Sequence, residues 1–299
     1  MDELLSVDND RLYLKIISAM NPEDKDLGIE LSELEKLTST IKETYKYDFT
    51  NYAMSSFRRR TWRILEKYEL DSVEVLTKKI QDDVNFFKEV LSEITVSVTE
   101  MFRDPSMWQI LRDDVIPDIL KKPKIINIWH AGCCTGEEVV SIAILLKEME
   151  LLEFARITAT DIDHVILETA SKCMHPMRHM DTNTKNYTEF SGKAKLSDYY
   201  KEENDMAKMD RSLIEKVTFK EHDLVAGKPF SKFDLIICRN VMIYFNQKLQ
   251  NDVLKLLHQS LEMNGYLIIG QQESLIWCEI ANKFSVVNYR EKIYKKIEG

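Results

Sequence analysis

No apolar run in this chain approaches the ~20 residues needed to cross a bilayer. The longest, VVSIAILL from Val139 to Leu146 and VILETA from Val165, fall far short. The start, MDELLSVDND, lacks the charged n-region and apolar h-region of a secretory signal. These absences predict a cytoplasmic protein without direct membrane insertion. Tracts rich in glycine, proline or serine are missing too, and 44% of the 299 residues are hydrophobic, so the chain can bury a sizeable core and disorder is set aside. There is no C-x-x-C. The five cysteines, Cys133, Cys134, Cys173, Cys238 and Cys278, are odd in number and lie largely in apolar segments, which predicts free thiols rather than a disulfide frame. No His/Cys cluster has ligand spacing, so no metal is expected. A positive excess is also lacking: the net charge of −9 argues against general nucleic-acid affinity, which needs a positive field, and any basic site must be local.

What is present falls into two patterns. Glycine is absent from roughly the first 90 residues except for Gly28, and apolar positions recur at helical spacing in RLYLKIISAM, IELSELEKLTSTI, FRRRTWRILEKYEL and VEVLTKKIQDDVNFFKEVLSEI. This predicts a helical domain over residues 1–92. From Ile125 strand-like and helix-like segments alternate: IINIWHAG, Glu137 to Glu148, RITATD, VILETASKC, VTFKEHD, FDLIICRN, Asn246 to Leu261, and GYLIIGQ. Such alternation implies a doubly wound α/β fold, a mostly parallel sheet with helices on both faces, over residues 93–299. At the end FSVVNY and KIYKKI are separated by Arg290 and Glu291, too few residues for a crossover helix and right for an antiparallel hairpin. That ending is the shape of S-adenosylmethionine-dependent methyltransferases rather than nicotinamide dehydrogenases. The polar stretch 172–216 breaks the rhythm and is expected to be an inserted subdomain or docking flap, with a disordered loop as the alternative.

The most informative stretch is IINIWHAGCCTGEE, Ile125 to Glu138, a buried strand leading through a glycine turn into a helix start. Gly132 and Gly136 permit close backbone approach, and the turn is expected to present N–H groups to a ligand. The next strand ends at Asp161, about 25 residues on, where an acid can hold the hydroxyls of a ribose. The pattern G-x-G-x-x-G is not met, because Cys134 and Glu137 stand in the second and third glycine positions. This favours an adenosyl ligand over a pyrophosphate. Asp163 can instead cap the helix beginning near Val165.

Four ordered blocks resemble the CheR-type chemoreceptor glutamate O-methyltransferases: VSVTEMFRDPSMWQIL, IWHAGCCTGEEVVSIAILL, ATDIDHVILETA, and FDLIICRNVMIYFNQKLQNDVL through GYLIIGQQESL. The resemblance covers most of the chain and implies a helical N-terminal domain, a catalytic methyltransferase domain and an inserted β-subdomain. It also implies S-adenosylmethionine as cofactor, with S-adenosylhomocysteine as product. Within it Thr99 and Arg103 contact the methionine part of the cofactor, where a guanidinium can pair the carboxylate in a fork. Ser97 takes a position where many members have asparagine, and a hydroxyl can both donate and accept there. Glu137 helps hold the amino-acid end, Asp161 the ribose, and Asp223 with Leu224 the adenine; Asp223 again replaces asparagine. Arg239, Asn240 and Val241 line the pocket after the fourth strand, where doubly wound folds place their sites. Tyr244, four residues past Asn240, points toward the reacting centre. No N-P-P-Y-like segment is present, which weighs against nucleic-acid amino methylation.

The chemistry this implies needs no general base. A glutamate with a pKa near ~4.3 is already anionic at neutral pH, so alignment and exclusion of water are the main tasks. Tyr244 could orient the substrate carboxylate and Arg103 compensate its charge. For docking, the face of FRRRTWRILEKY carrying Arg58, Arg59, Arg60, Arg63 and Lys67 is expected to lie opposite Phe57, Ile64, Leu65 and Tyr68. By resemblance the N-terminal helices meet the acidic cytoplasmic helices of the receptor, where a local basic face can steer association. Arg112, Lys121 and Lys122 are further basic candidates. Two rival readings stay open: a cofactor-silent scaffold binding a signalling partner, and a methyltransferase for small molecules or nucleic acid.

Overall fold

A computed structural model describes residues 27–95, 99–121 and 125–299. Ser97, Lys122 and the helix expected in RLYLKIISAM lie outside the described residues. The chain divides into two compact units, with the break between Ile94 and Thr95.

The first unit holds helices α1 (Leu31–Tyr45), α2 (Met54–Lys67), α3 (Val73–Asp82) and α4 (Val84–Ile94). Their apolar stripes close on a shared core of Leu34, Leu37, Ile41, Phe57, Ile64, Leu76, Ile80 and Phe87. Ser72 starts α3 by accepting from the Val75 N–H at 3.3 Å, and Tyr45 stacks on Phe87 with centroids 3.8 Å apart.

One expectation is corrected here. Arg60 is not part of an exposed basic face: it is 6% exposed, and its Nη1 donates to the Ile94 carbonyl at the end of α4. The spacing explains why, since 57, 60, 61 and 64 form the buried i, i+3, i+4, i+7 stripe of α2. Arg59 and Arg63 are exposed and Arg58 is half-buried. Arg60→Ala is therefore expected to destabilise this unit by about 1–3 kcal/mol, the cost of an orphaned buried carbonyl. A urea titration followed by circular dichroism measures it.

The second unit is a seven-stranded sheet flanked by helices. In chain order its strands are β1 (Ile126–Ala131), β2 (Ala155–Asp161), β6 (Val217–Glu221), β7 (Phe233–Cys238), β8 (Leu261–Ile269), β9 (Phe284–Asn288) and β10 (Ile293–Lys296). Across the sheet they run β6-β2-β1-β7-β8-β10-β9. All neighbours are parallel up to β8, and β10 then pairs antiparallel with both β8 and β9. Every residue of β7 is buried, as a central parallel strand covered on both faces requires. The helices covering the sheet include α7 (Glu137–Glu148), α8 (His164–Lys172) and α10 (Gln247–Ser260). This is the S-adenosylmethionine-dependent methyltransferase fold. The winding reverses between β1 and β7, so their C-terminal ends open the crevice where such sheets bind ligands.

The inserted stretch is folded. Strands β3 (Met174–Pro176), β4 (Tyr200–Glu203) and β5 (Met206–Met209) form an antiparallel sheet in the order β3-β5-β4, joined by helix α9 (Met180–Phe190). Tyr187, Phe190, Leu196, Tyr199 and Met209 belong to the same buried cluster as β1 and β2. Asn204 and Asp205, both at positive φ (52° and 58°), make the two-residue turn between β4 and β5. Leading into β1 are α5 (Pro105–Ile110), a π-helical turn (Leu111–Val115) and α6 (Ile116–Ile119). No described helix is long and apolar enough to cross a membrane.

Candidate active site

The glycine turn after β1 differs from its expected form. Four of its N–H groups are committed inward: Gly132 and Cys133 both donate to the Thr160 carbonyl (2.8 and 2.9 Å), Cys134 donates to Asp161 Oδ2 (2.9 Å), and Gly136 donates to the Cys133 carbonyl (3.1 Å). The turn contributes space instead. A Cβ built on Gly132, at φ +72°, would lie 2.6 Å from Val241 Cγ2, so glycine lets the β1 and β7 loops meet. Gly136, at φ +91°, then starts α7. With its donors committed, the turn suits an adenosyl group better than a pyrophosphate, which needs a cradle of free N–H groups.

Arg103 sits between two residues held in the left-handed region, Phe102 (φ 52°) and Asp104 (φ 56°). Such backbone persists only where surroundings fix it. The Phe102 N–H donates to Ser141 Oγ (2.8 Å), and the Arg103 carbonyl accepts from Trp108 Nε1 (2.9 Å) and Arg239 Nη1 (3.3 Å). Arg239 is only 4% exposed, and its guanidinium bridges Glu138 and Asp104. Glu138 also faces His130 Nε2 at 3.2 Å. Burial works to raise the Glu138 pKa, but Arg239 and His130 together bring it below the ordinary carboxylate value. Arg239 thus offers a ligand backbone rather than charge, while the Arg103 guanidinium makes no hydrogen bond among the described residues. A guanidinium on a braced loop, close enough to Glu138 to lower its pKa but without a hydrogen bond among the described residues, fits the carboxylate of an amino-acid moiety.

The other expected residues lie in the segment before Arg103 and at or just after the C-terminal ends of β1, β2, β6 and β7. Thr99 is half-buried in the segment before Arg103. Glu137, 3% exposed, accepts from Thr135 Oγ1 (2.6 Å) and faces His175 Nδ1 (3.1 Å), a residue of β3 that the sequence reading did not single out. Asp161 ends β2, accepting from the Cys134 and Asp163 N–H groups (2.9 and 3.2 Å). Burial raises its pKa, yet each oxygen keeps a further lone pair for a ribose hydroxyl. Asp163 caps α8 through the Val165 N–H (2.9 Å). Asp223, next to the half-buried Leu224 beyond β6, turns the chain by accepting from the Val225 N–H (2.7 Å). Asn240, at φ 59°, and Val241 follow β7, and Tyr244 closes the 3-10 turn Met242–Tyr244, half-buried. Among the described residues no group of three or more metal-ligating side chains gathers.

Cys134 lies in the glycine turn, and burial raises its thiol pKa to about 12. It is therefore expected to react slowly with iodoacetamide at pH 8, since the thiolate is the nucleophile. Mass spectrometry of the alkylated chain measures this.

Comparison with known proteins identifies the family. Residues 97–293 match the CheR methyltransferase SAM binding domain, and residues 32–95 match the CheR methyltransferase all-alpha domain. Cher3 of Pseudomonas putida, described only provisionally as a methyltransferase, is 38% identical over 88% of this chain and 96% of its own. A chemotaxis protein methyltransferase of Borreliella burgdorferi is 32% identical over 84% of each chain. One from Listeria innocua is 28% identical over 82% of this chain and 93% of its own. Both domains match along the chain, and the chain belongs to the CheR family of S-adenosylmethionine-dependent methyltransferases.

Proposed function

We propose that this enzyme esterifies glutamate side chains on the cytoplasmic helices of bacterial chemoreceptors and so tunes chemotaxis signalling from the cytoplasm. One observation supports the choice of substrate atom: the carboxylates assigned to the crevice already have partners. Glu137 is held by Thr135 and His175, Glu138 by Arg239 and His130, and Asp161 by two N–H groups. A site whose carboxylates are committed suits a nucleophile that is anionic at neutral pH, as a glutamate is with a pKa near ~4.3, better than an amine that must first lose a proton. Bound S-adenosylmethionine supplies an electrophilic methyl group on a sulfonium. The chain's part is to hold the acceptor in line, exclude water and compensate charge, with Arg103 on the cofactor carboxylate and Tyr244 toward the acceptor. Thr99, Glu137, Asp161, Asp223, Leu224 and the 239–241 loop complete the cofactor wall in this reading.

Labelled methyl transfer to a receptor cytoplasmic fragment tests the proposal. The label is expected to be released as methanol in mild alkali, as carboxyl esters are; alkali-stable label would mean N-methylation and overturn it.

The exposed Arg59 and Arg63 of α2 are the arginines available to meet an acidic receptor helix. The double variant Arg59→Glu/Arg63→Glu is expected to raise KM for the receptor fragment about 10-fold at low salt, with kcat within about twofold, and to lose the salt dependence of kcat/KM. Steady-state kinetics at two ionic strengths measures this.

A further inference from the structure

Glu273 is a buried carboxylate in the loop after β8, 5% exposed, for which the proposed chemistry has no use. Among the described residues its hydrogen-bond donors are all backbone N–H groups. Oε1 accepts from the N–H groups of Val241 (3.0 Å), Met242 (2.7 Å) and Ile243 (3.3 Å). Oε2 accepts from Asn240 (3.2 Å) and from Gly270. Consecutive N–H groups converging on one point form an anion-binding nest. Here the nest is filled by the protein's own side chain, brought into place by a turn in which the Glu273 N–H donates to the Gly270 carbonyl at 2.9 Å.

The residues whose N–H groups it gathers are those that follow β7 in the crevice. Asn240 is left-handed at φ 59°, a conformation that needs outside support in a non-glycine residue. Val241 is the side chain that packs against the Gly132 turn, and Tyr244 follows within the same 3-10 turn. Gly270 is part of the arrangement: a Cβ there would lie 2.9 Å from the Asn240 nitrogen and 2.9 Å from Glu273 Oε2. Four N–H groups of a loop with a net cost in backbone conformation thus depend on one carboxylate.

We infer that Glu273 is a positioning residue: its carboxylate is an internal template that holds residues 240–244 in the shape that receives the cofactor. This rests on the reading that the 239–241 loop lines the cofactor site. In Glu273→Gln one acceptor oxygen becomes an NH2 that faces N–H donors, so the nest cannot form. The expected result in the full chain is a rise of 10-fold or more in the Kd for S-adenosylhomocysteine by calorimetry. Amide hydrogen exchange should rise at the same time in the peptide covering 239–245. Gly270→Ala, which presses on the same contacts from the other side, should show the same pair of changes, and the double variant should be little worse than either single one. Leu257→Ala in α10 is the control for lost stability alone, with Kd within twofold of wild type. Should Glu273→Gln fail to fold, Gly270→Ala carries the test. Unchanged exchange across 239–245, or raised exchange with unchanged Kd, overturns the inference. Asn240→Ala separates the two possible failures: if it too leaves Kd unchanged, the loop does not line the cofactor site; if it weakens binding while Glu273→Gln does not, Glu273 alone is misassigned.

Discussion

Arg103→Ala is expected to weaken S-adenosylhomocysteine binding about 10- to 150-fold, with little change in thermal stability. The size follows from a charge-assisted fork to a carboxylate, roughly 1.5–3 kcal/mol. The unchanged stability follows from the structure: among the described residues the guanidinium makes no hydrogen bond, and the loop is braced through the Arg103 carbonyl, which alanine keeps. Arg103→Lys should recover only part of the affinity, because an ammonium retains the charge without the planar fork. Calorimetry and a melting curve on the same samples decide it. A variant that loses affinity only by unfolding would contradict the assignment.

Arg239→Ala should do the opposite and act first on stability. Removing it strands Glu138 and Asp104, which it pairs at an almost fully buried site. Breaking a buried pair from one side costs about 3–5 kcal/mol. At about 2–4 °C per kcal/mol for a domain of this size, Tm should fall by roughly 6–20 °C. The pH dependence gives the sign. In the wild type Glu138 titrates below its ordinary value, so its contribution is present above the unfolded pKa and is lost as pH falls through the folded one. Without Arg239 its main charge partner is gone and burial pushes the Glu138 pKa up from its wild-type position, so the variant is penalised most at high pH and recovers part of the difference on acidification. The Tm gap between wild type and variant should therefore narrow from pH 7.5 to pH 5.5. A gap that widens would show that the buried network is not what holds this region.

How far the site could be read from sequence depends on whether periodicity or a distant partner decides each feature. The helix Glu137–Glu148 and the closing hairpin carry local signals, a glycine turn before an apolar stripe and two short strands too close for a crossover, and both are found. Asp163 as a cap is equally local. Arg60 could have been placed correctly, because its 3.6-residue phase matches Phe57 and Ile64; arginine as a residue type suggested surface where position indicated core. The small antiparallel sheet was hidden because β4, YKEE, is largely exposed and shows no alternation, and the Asn204–Asp205 turn lacks the usual glycine. The committed N–H groups of the Gly132 turn, the pairing of His175 with Glu137, the Arg239 clamp and the Glu273 nest depend on contacts between residues far apart in the chain. A single sequence does not specify which carboxylate meets which donor.

The claim on which all of this stands is that an adenosyl pocket lies at the switch point between β1 and β7, with Asp161 on its ribose side. Calorimetric titration of the full chain with S-adenosylhomocysteine, run in parallel on Asp161→Ala, tests it without a receptor. Saturable binding at one site in the wild type, weakened at least 10-fold in the variant, is the expected result; a silent wild type, or a variant that binds as tightly as the wild type, would contradict the pocket as drawn.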